Sequence, residues 1–351
     1  MIKNTKNKNK NKNKKSKKYI KKSGSSLPQP TNYDIISLFF LAILNGDMNT
    51  IRNLINEIDI NVINAHGMTP LMVATTYGHS NIVQYLINQG ANINHIDNSR
   101  STALMIASQN GNLEIVIYLV ENGSNIDQIN NALIIATQNG NLEIVTYLVE
   151  HGANINHSDN NDWSALMIST LYRNLEIVSY LVDHGANIDQ INNALMIATQ
   201  NENLEIVTYL VDHGANINHR DNDNWTPLML ATQYGNLEIV TYLVDHGANI
   251  NMVNNNNNSS LFIAISVQHL EIVKYLVGQG ANLELVNNLG QTPLISAVLF
   301  GDPMIVRFLI GEGADFNIIY NGMNAVDLFF NLHGVHLYPV GVNISAAARV
   351  A

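Results

Sequence analysis

Apolar residues recur along this chain at helical spacing and almost in the same words. Asn-Leu-Glu-Ile-Val begins at Asn112, Asn141, Asn174, Asn203 and Asn236, and His-Leu-Glu-Ile-Val begins at His269. In the copy at Asn141, residues Leu142, Val145, Leu148 and Val149 fall on one side of a helix, and Ile144 and Tyr147 widen the apolar surface beyond one stripe. A helix of that kind needs neighbours on more than one side. Asn141 is expected to cap its first turn, Glu143 suits the positive end of the helix dipole, and Gly152 supplies the left-handed stop. The closing glycines are Gly90, Gly123, Gly152, Gly185, Gly214, Gly247, Gly280 and Gly313, in steps of 33, 29, 33, 29, 33, 33 and 33 residues. A repeated period in this range predicts stacked structural repeats.

A second helix precedes each of these. At Thr226-Pro227-Leu228-Met229-Leu230-Ala231 a capping Thr is followed by Pro at the first helical position, where its missing N–H costs no bond, and Tyr234-Gly235 ends the element. Helices this short are marginal alone in water, so the pairs must be stabilised by stacking on one another.

Thr-Pro-Leu at Thr69–Leu71, Thr226–Leu228 and Thr292–Leu294, with the Leu-Val-x-x-Gly-Ala-x-Ile-Asn endings, resembles the ankyrin repeat, and the resemblance spans roughly residues 33–333. It implies an α-solenoid of paired antiparallel helices with β-hairpin fingers, about nine repeats and a partial C-terminal cap. The family's usual His after Thr-Pro-Leu is replaced by Met72, Met229 or Ile295, so apolar packing is expected to substitute for its hydrogen bonds. Residues 33–66 read as a capping first repeat, with the Leu38–Leu44 run as its buried helix, and Met323–Phe330 reads as the first helix of an incomplete last repeat. Residues 334–351 are left as a tail or cap remnant.

The two 29-residue steps arise where the loop before the helix pair is four residues shorter, at Asp127–Leu133 and Asp189–Leu195. The missing residues are those of the finger, and Asn131 and Asn193 come to stand where Thr102 caps its helix, so each is expected to cap. Long and short loops then alternate with a 62-residue super-period, leaving fingers at Asp97–Ser101, Asp159–Trp163 and Asp221–Trp225. The tryptophans of the chain, Trp163 and Trp225, hold equivalent finger positions 62 residues apart.

The resemblance implies that fingers and first helices line a concave face that holds partner proteins, and Trp is over-represented among residues that dominate binding energy. Arg100, Asp159, Trp163, Arg220, Asp221 and Trp225 are therefore the candidate partner-binding residues. The bland alternative is that each Trp packs on its own hairpin, which duplication of a 62-residue segment would copy. The Asn254–Asn258 run leaves its loop at the usual length and reads as a polar finger.

Charge splits the chain. Residues 1–22 hold 11 of the 18 basic residues and no acid, leaving 7 basic residues against 28 acidic in the rest, a balance of −21. Residues 1–30 read as a disordered Lys/Asn-rich tail and linker that could carry a nuclear-import signal or grip nucleic acid, or could be a drifted low-complexity tract. The acidic repeats favour basic protein partners. With no cysteine there is neither disulfide nor thiolate metal site, and the longest strongly apolar run is too short to span a membrane. An intracellular chain, in host cytoplasm or nucleus and not secreted, is expected, acting as a monomer.

Chemistry is sparse. His151, His184, His213 and His246 sit at equivalent positions about 10 Å apart on successive helices, too far to share a metal, and Glu143, Glu176, Glu205 and Glu238 form a column of first-turn acids with no facing partner. No phosphate-binding loop, dinucleotide turn or nucleophile motif is present, so no catalysis, cofactor or metal is expected. The leading expectation is a protein–protein interaction scaffold, with a nuclear or nucleic-acid-associated regulator working through residues 1–22 as the alternative. A third reading makes the chain an enzyme's substrate, since Leu148, Ile155 and Asn156 resemble the setting of ankyrin asparagines hydroxylated by an oxygen-sensing dioxygenase. The near-identity of the units and their Asn/Ile/Lys bias resemble ankyrin-repeat proteins of giant DNA viruses of amoebae, mimivirus-like, which implies a host protein as partner.

Overall fold

The computed structural model describes residues 32–334; the Lys/Asn-rich tail and linker at 1–30 and the C-terminal stretch 335–351 lie outside them. The chain divides between Arg100 and Ser101 into two compact units. The first holds α1 (Asn32–Leu44), α2 (Met48–Leu54), α3 (Pro70–Thr76) and α4 (Ser80–Asn88), two antiparallel pairs.

The second unit runs α5 (Ala103–Gln109), α6 (Leu113–Glu121), α7 (Ile126–Gln138), α8 (Leu142–Glu150), α9 (Ala165–Leu171), α10 (Leu175–Asp183), α11 (Ile188–Gln200) and α12 (Leu204–Asp212). It continues through α13 (Pro227–Tyr234), α14 (Leu237–Asp245), α15 (Ser260–Ser266), α16 (Leu270–Gly278), α17 (Pro293–Phe300) and α18 (Pro303–Gly311) to an unpaired α19 (Ala325–His333). In this unit each odd-numbered helix packs on its even-numbered partner and on the next odd-numbered helix, so two layers of helices stack repeat on repeat.

Sequence explains the ends of these helices. Thr69, Thr102, Thr226 and Thr292 each accept a hydrogen bond from the N–H three residues on, at 3.3 Å. Asn112, Asn174, Asn203 and Asn236 cap the second helices in the same way. Asn141 does not: its Nδ2 donates to the Ser108 carbonyl at 2.9 Å, so this side chain ties α8 to α5 instead of capping its own helix. Gly235 ends α13 in the left-handed conformation at φ 77°, and a Cβ there would lie 2.6 Å from the ring of His269, so the next repeat also needs the glycine.

The core is narrower than the apolar pattern. Ile144, Val145 and Leu148 are buried, whereas Leu142 and Val149 are half-buried, because only one flank of each second helix faces its partner layer. Met72, Met229 and Ile295 are buried, so apolar packing does replace the family's histidine. In α1 Phe39 and Ile43 are buried, but Leu38, Leu41 and Leu44 are 47, 52 and 42% exposed, correcting the reading of the whole run as buried. Leu41 and Leu44 line an open groove shared with Ile63 and with Val73 and Tyr77 of the next helix pair.

Between repeats the backbone is joined by an asparagine ladder. Asn156 Oδ1 accepts the Asn187 N–H at 2.9 Å, Asn218 Oδ1 that of Asn249 at 2.8 Å, and Asn251 Oδ1 that of Asn282 at 2.8 Å. The Nδ2 groups of the same residues donate to the carbonyls of Gly185, Gly247 and Gly280. On the other edge a column of tyrosines does similar work: Tyr180, Tyr209, Tyr242 and Tyr275 donate their hydroxyls to main-chain carbonyls of the preceding repeat, each at 3.4 Å. His151, His184, His213 and His246 stack on the tyrosine one turn earlier, and each Nδ1–H donates 2.7 Å to that tyrosine's carbonyl. These histidines finish helices.

Candidate protein-binding face

Each finger is built by its first residue. Asp159 Oδ1 accepts the N–H groups of Asn161 at 2.8 Å and Trp163 at 2.9 Å, while the Asp159 N–H donates to the Trp163 carbonyl and the Asp162 N–H to that of Asp159. Asp221 does the same for Asp223 and Trp225, at 2.9 and 2.8 Å. Asn254 and Asn287 repeat it for their own loops. A short side-chain acceptor two residues back from an N–H folds the loop without help from outside, which is why Asp or Asn stands first in these fingers; the last hairpin, begun by Tyr320, closes through its backbone bonds to Met323 alone. The hairpin is tight: among the described residues it leaves an isolated bridge at Ser158 and Ser164 and no extended strand.

The fourth finger residue is left-handed, at φ 64° in Arg100, 63° in Asp162, 59° in Asn224 and 59° in Asn257. Arg100 is thus an exposed finger-tip residue, but it belongs to the first unit, whereas the other five candidates lie in the second. Asp159 and Trp163 share one finger, and Arg220, Asp221 and Trp225 another; Arg220 Nη1 donates to Asn224 Oδ1 at 3.5 Å across the tip. Asp159 and Asp221 are turn-builders, with Oδ1 already engaged by two N–H groups of their own loop. Trp163 and Trp225 are half-buried.

The two short connections behave differently from expectation. Each fuses with the helix after it into one 13-residue element, α7 and α11. The caps are therefore Asn125 and Asn187, which accept the N–H groups of Gln128 and Gln190 at 2.9 Å, and not Asn131 and Asn193. Asn131 lies inside the helix, its Nδ2 donating to the Asp127 carbonyl at 2.9 Å. Four fewer residues leave no slack for a reversal of the chain, and continuing the helix gives backbone groups that a loop would have exposed partners within the helix. The finger is lost as expected. Asn130 and Asn192, now buried, take over the ladder by accepting the N–H groups of Asn154 and Asn216 at 2.7 Å.

Beside the fingers, the sequence reading missed a second exposed aromatic set. Tyr172 is 55% and Tyr234 44% exposed at the C-terminal ends of α9 and α13, 62 residues apart like the tryptophans, with Phe300 in the equivalent place on α17. Their hydroxyls accept from Gln138 and Gln200 of the fingerless repeats at 3.4 and 3.3 Å. The available signal was the same 62-residue spacing, hidden because a Tyr before a Gly or Arg reads as an ordinary helix end. Among the described residues no cluster of His, Asp and Glu is placed to hold a metal ion, and no helix is long and apolar enough to cross a membrane.

A family model of ankyrin repeats, three copies to a model, matches residues 39–130, 127–192, 190–254 and 247–320, and the chain belongs to that family. No curated protein sequence matches it. The crystal structure of the human ASB11 ankyrin repeat domain is similar, with a TM-score of 0.54 and 22% identity over 60% of this chain and 98% of that one. At that identity the likeness is one of fold, and 535 chains of solved structures match, so the fold alone selects no partner. Ankyrin-repeat domains generally mediate protein–protein interaction, as a scaffold family without enzymatic activity.

Proposed function

We propose that this protein is an interaction scaffold that holds a partner protein on the concave, finger-bearing face of its repeats. The observation that carries the reading is the duplicated display in the second unit: Trp163 with Tyr172 and, 62 residues on, Trp225 with Tyr234, part-exposed aromatics on self-bonded turns and helix ends. Aromatic side chains bury large areas at little entropic cost, and a fixed backbone spares a partner the cost of ordering it. Asp159 and Asp221 act by holding the tryptophan-bearing loops, Arg100 as a polar group at a finger tip and Arg220 as one at a finger's base that reaches Asn224. The net charge of the repeats, after residues 1–22 are set aside, makes the partner basic. On the viral resemblance of the unit's wording, that partner is a host protein met inside the cell, and the scaffold works as a monomer.

Affinity capture from host-cell lysate tests this with the intact chain, a Trp163→Ala/Trp225→Ala chain of verified helical content, and a chain lacking residues 1–22. A protein captured by the intact and tailless forms and lost by the double substitution supports the face. Capture that follows residues 1–22 alone replaces it with the nucleic-acid or import reading. Binding should weaken as salt rises, and an affinity indifferent to salt would remove the charge selection.

A further inference from the structure

Three pairs of neighbouring fingers are sewn together by one recurring pair of bonds; the last pair, Asn287–Gln291 and Tyr320–Met323, is joined instead by Gln291 Nε2 donating to the Tyr320 hydroxyl at 3.2 Å. The N–H of the second residue donates to the carbonyl of the preceding finger's third residue: Asn98 to His66 at 3.3 Å, Asn255 to Asp223 at 3.1 Å, Asn288 to Asn256 at 3.1 Å. The Nδ2 of the same asparagine donates to the carbonyl of the preceding finger's second residue: Asn98 to Ala65 at 3.4 Å, Asn255 to Asn222 at 3.4 Å, Asn288 to Asn255 at 2.9 Å. The pattern occurs once in the first unit and twice in the second.

The fingers Asp159–Trp163 and Asp221–Trp225 are separated by the repeat of α11, which has none. On one side of that gap stand the carbonyls of Asn160 and Asn161, the two positions that accept in every sewn pair; on the other stand the N–H and Nδ2 of Asn222, the two groups that donate. No described hydrogen bond engages these four groups. In the repeat between the two fingers, α11 begins with Ile188, 52% exposed, and exposed Asp189, its sixth residue Asn193 is also exposed, and the buried Gln190 leaves its Oε1 without a hydrogen bond. The gap has the hydrogen-bonding walls of a finger's seat without the finger.

We propose that this notch seats one tight turn of the partner protein, and that the turn has the chemistry of the missing finger. Its first residue is Asn or Asp, to fold the loop; its second is Asn, donating to the carbonyls of Asn161 and Asn160; its fourth is Gly or Asn, for the left-handed backbone. Its second and third carbonyls accept from Asn222. This deepens the binding-face reading and rests on it, since it names what part of a partner enters and where.

The test is a library of disulfide-closed loops with five randomised positions, displayed on phage and selected on the full chain. Selected loops are then measured on a filled chain in which Asn187–Asn193 is replaced by the Asn249–Ser259 stretch, restoring the finger and leaving both tryptophans in place. Circular dichroism and hydrogen exchange show whether the filled chain is folded. The expected result is enrichment of Asn or Asp first, Asn second and Gly or Asn fourth, with affinity reduced at least about tenfold on the filled chain. As a milder variant, Asn222→Ala removes one donor without altering chain length and should weaken the loops roughly three- to tenfold.

Loops that bind the filled and Asn222→Ala chains as well as the original overturn the notch, as does a selection that yields no loop of this pattern. Self-association of the full chain that disappears on filling would make a second copy the occupant and overturn the partner assignment. Partner capture lost with the tryptophans but kept by the filled chain leaves the binding face standing and sinks the notch alone. Capture indifferent to the tryptophans sinks the face itself.

Discussion

The Asp159–Trp163 finger and the Asn254–Asn258 finger have the same length and the same internal bonds, yet they live in different surroundings. Asn254–Asn258 is held on both sides: Asn255 N–H to the Asp223 carbonyl, Asn288 N–H to the Asn256 carbonyl, and Asn224 Nδ2 to Asn255 Oδ1 at 2.5 Å. Asp159–Trp163 has fingerless repeats before and after it in the second unit and is held by its own turn. Asn254 is accordingly buried while Asp159 is half-buried. A loop's rigidity here comes from the loop next door, so a four-residue deletion in one repeat changes what the neighbouring repeat offers to a partner.

The sharpest way to break this comparison is to remove the turn-building side chain from each finger. Asn254→Ala strands two part-buried N–H groups in a loop tied to both neighbours and should cost about 2 kcal/mol, whereas Asp159→Ala should cost about 1 kcal/mol, because no neighbouring finger is bonded to that loop. Native-state hydrogen exchange is the measurement, since a long repeat array need not unfold in one step. Equal costs would mean that the cross-finger bonds contribute nothing.

Asn192→Ala comes next. It leaves the Asn216 N–H without its acceptor at the junction made by the fused helix, and should lower local stability by about 1–2 kcal/mol, read from exchange in α11 and α12. A silent result would show that the ladder is dispensable where the finger has gone.

Smaller and of opposite sign is Glu202→Gly. Glu202 is held at φ 56° where the equivalent Gly140 sits at 73°, so the exchange should add about 1 kcal/mol by removing a strained Cβ, visible as a higher melting temperature.

The smallest effect lies away from the fingers and serves as their control. Burial first, then the hydrogen bond to Asp183 and its charge, pushes the Tyr209 phenol up to about 12. Its folded value lies above its unfolded one, so its contribution is fully present below about pH 10 and is lost as pH rises towards 12. Burial also pushes the phenols of Tyr147, Tyr180, Tyr242 and Tyr275 up, so an ultraviolet titration should show a late group of phenols, and Tyr209→Phe should lower the amplitude of that late step without touching finger exchange. A late step of unchanged amplitude in Tyr209→Phe would show that neither burial nor Asp183 holds this phenol up.

Much of this was open to reading along the chain. Repeat boundaries, helix pairing, the capping Thr residues, the loss of two fingers and the 62-residue alternation all follow from spacing, because each depends on residues within one 33-residue unit. The caps at Asn125 and Asn187 did not. Whether a shortened loop stays a loop or joins its helix depends on whether its backbone groups find partners, and those partners sit in the next repeat. Asn141 was misread for the same reason: its best acceptor, the Ser108 carbonyl, is 33 residues away.

For the candidate site, sequence placed Trp163 and Trp225 in finger loops but could not distinguish a tryptophan half-buried in its own turn from one wholly presented. It also passed over Tyr172 and Tyr234. By itself the sequence determined the unit, its period and the places where the period is cut, since a helix pair is specified by local patterning and local caps. Only the tertiary structure decided which fingers are sewn to neighbours and which stand with unpaired backbone edges, because those bonds join residues about one repeat apart and depend on what the adjacent repeat supplies.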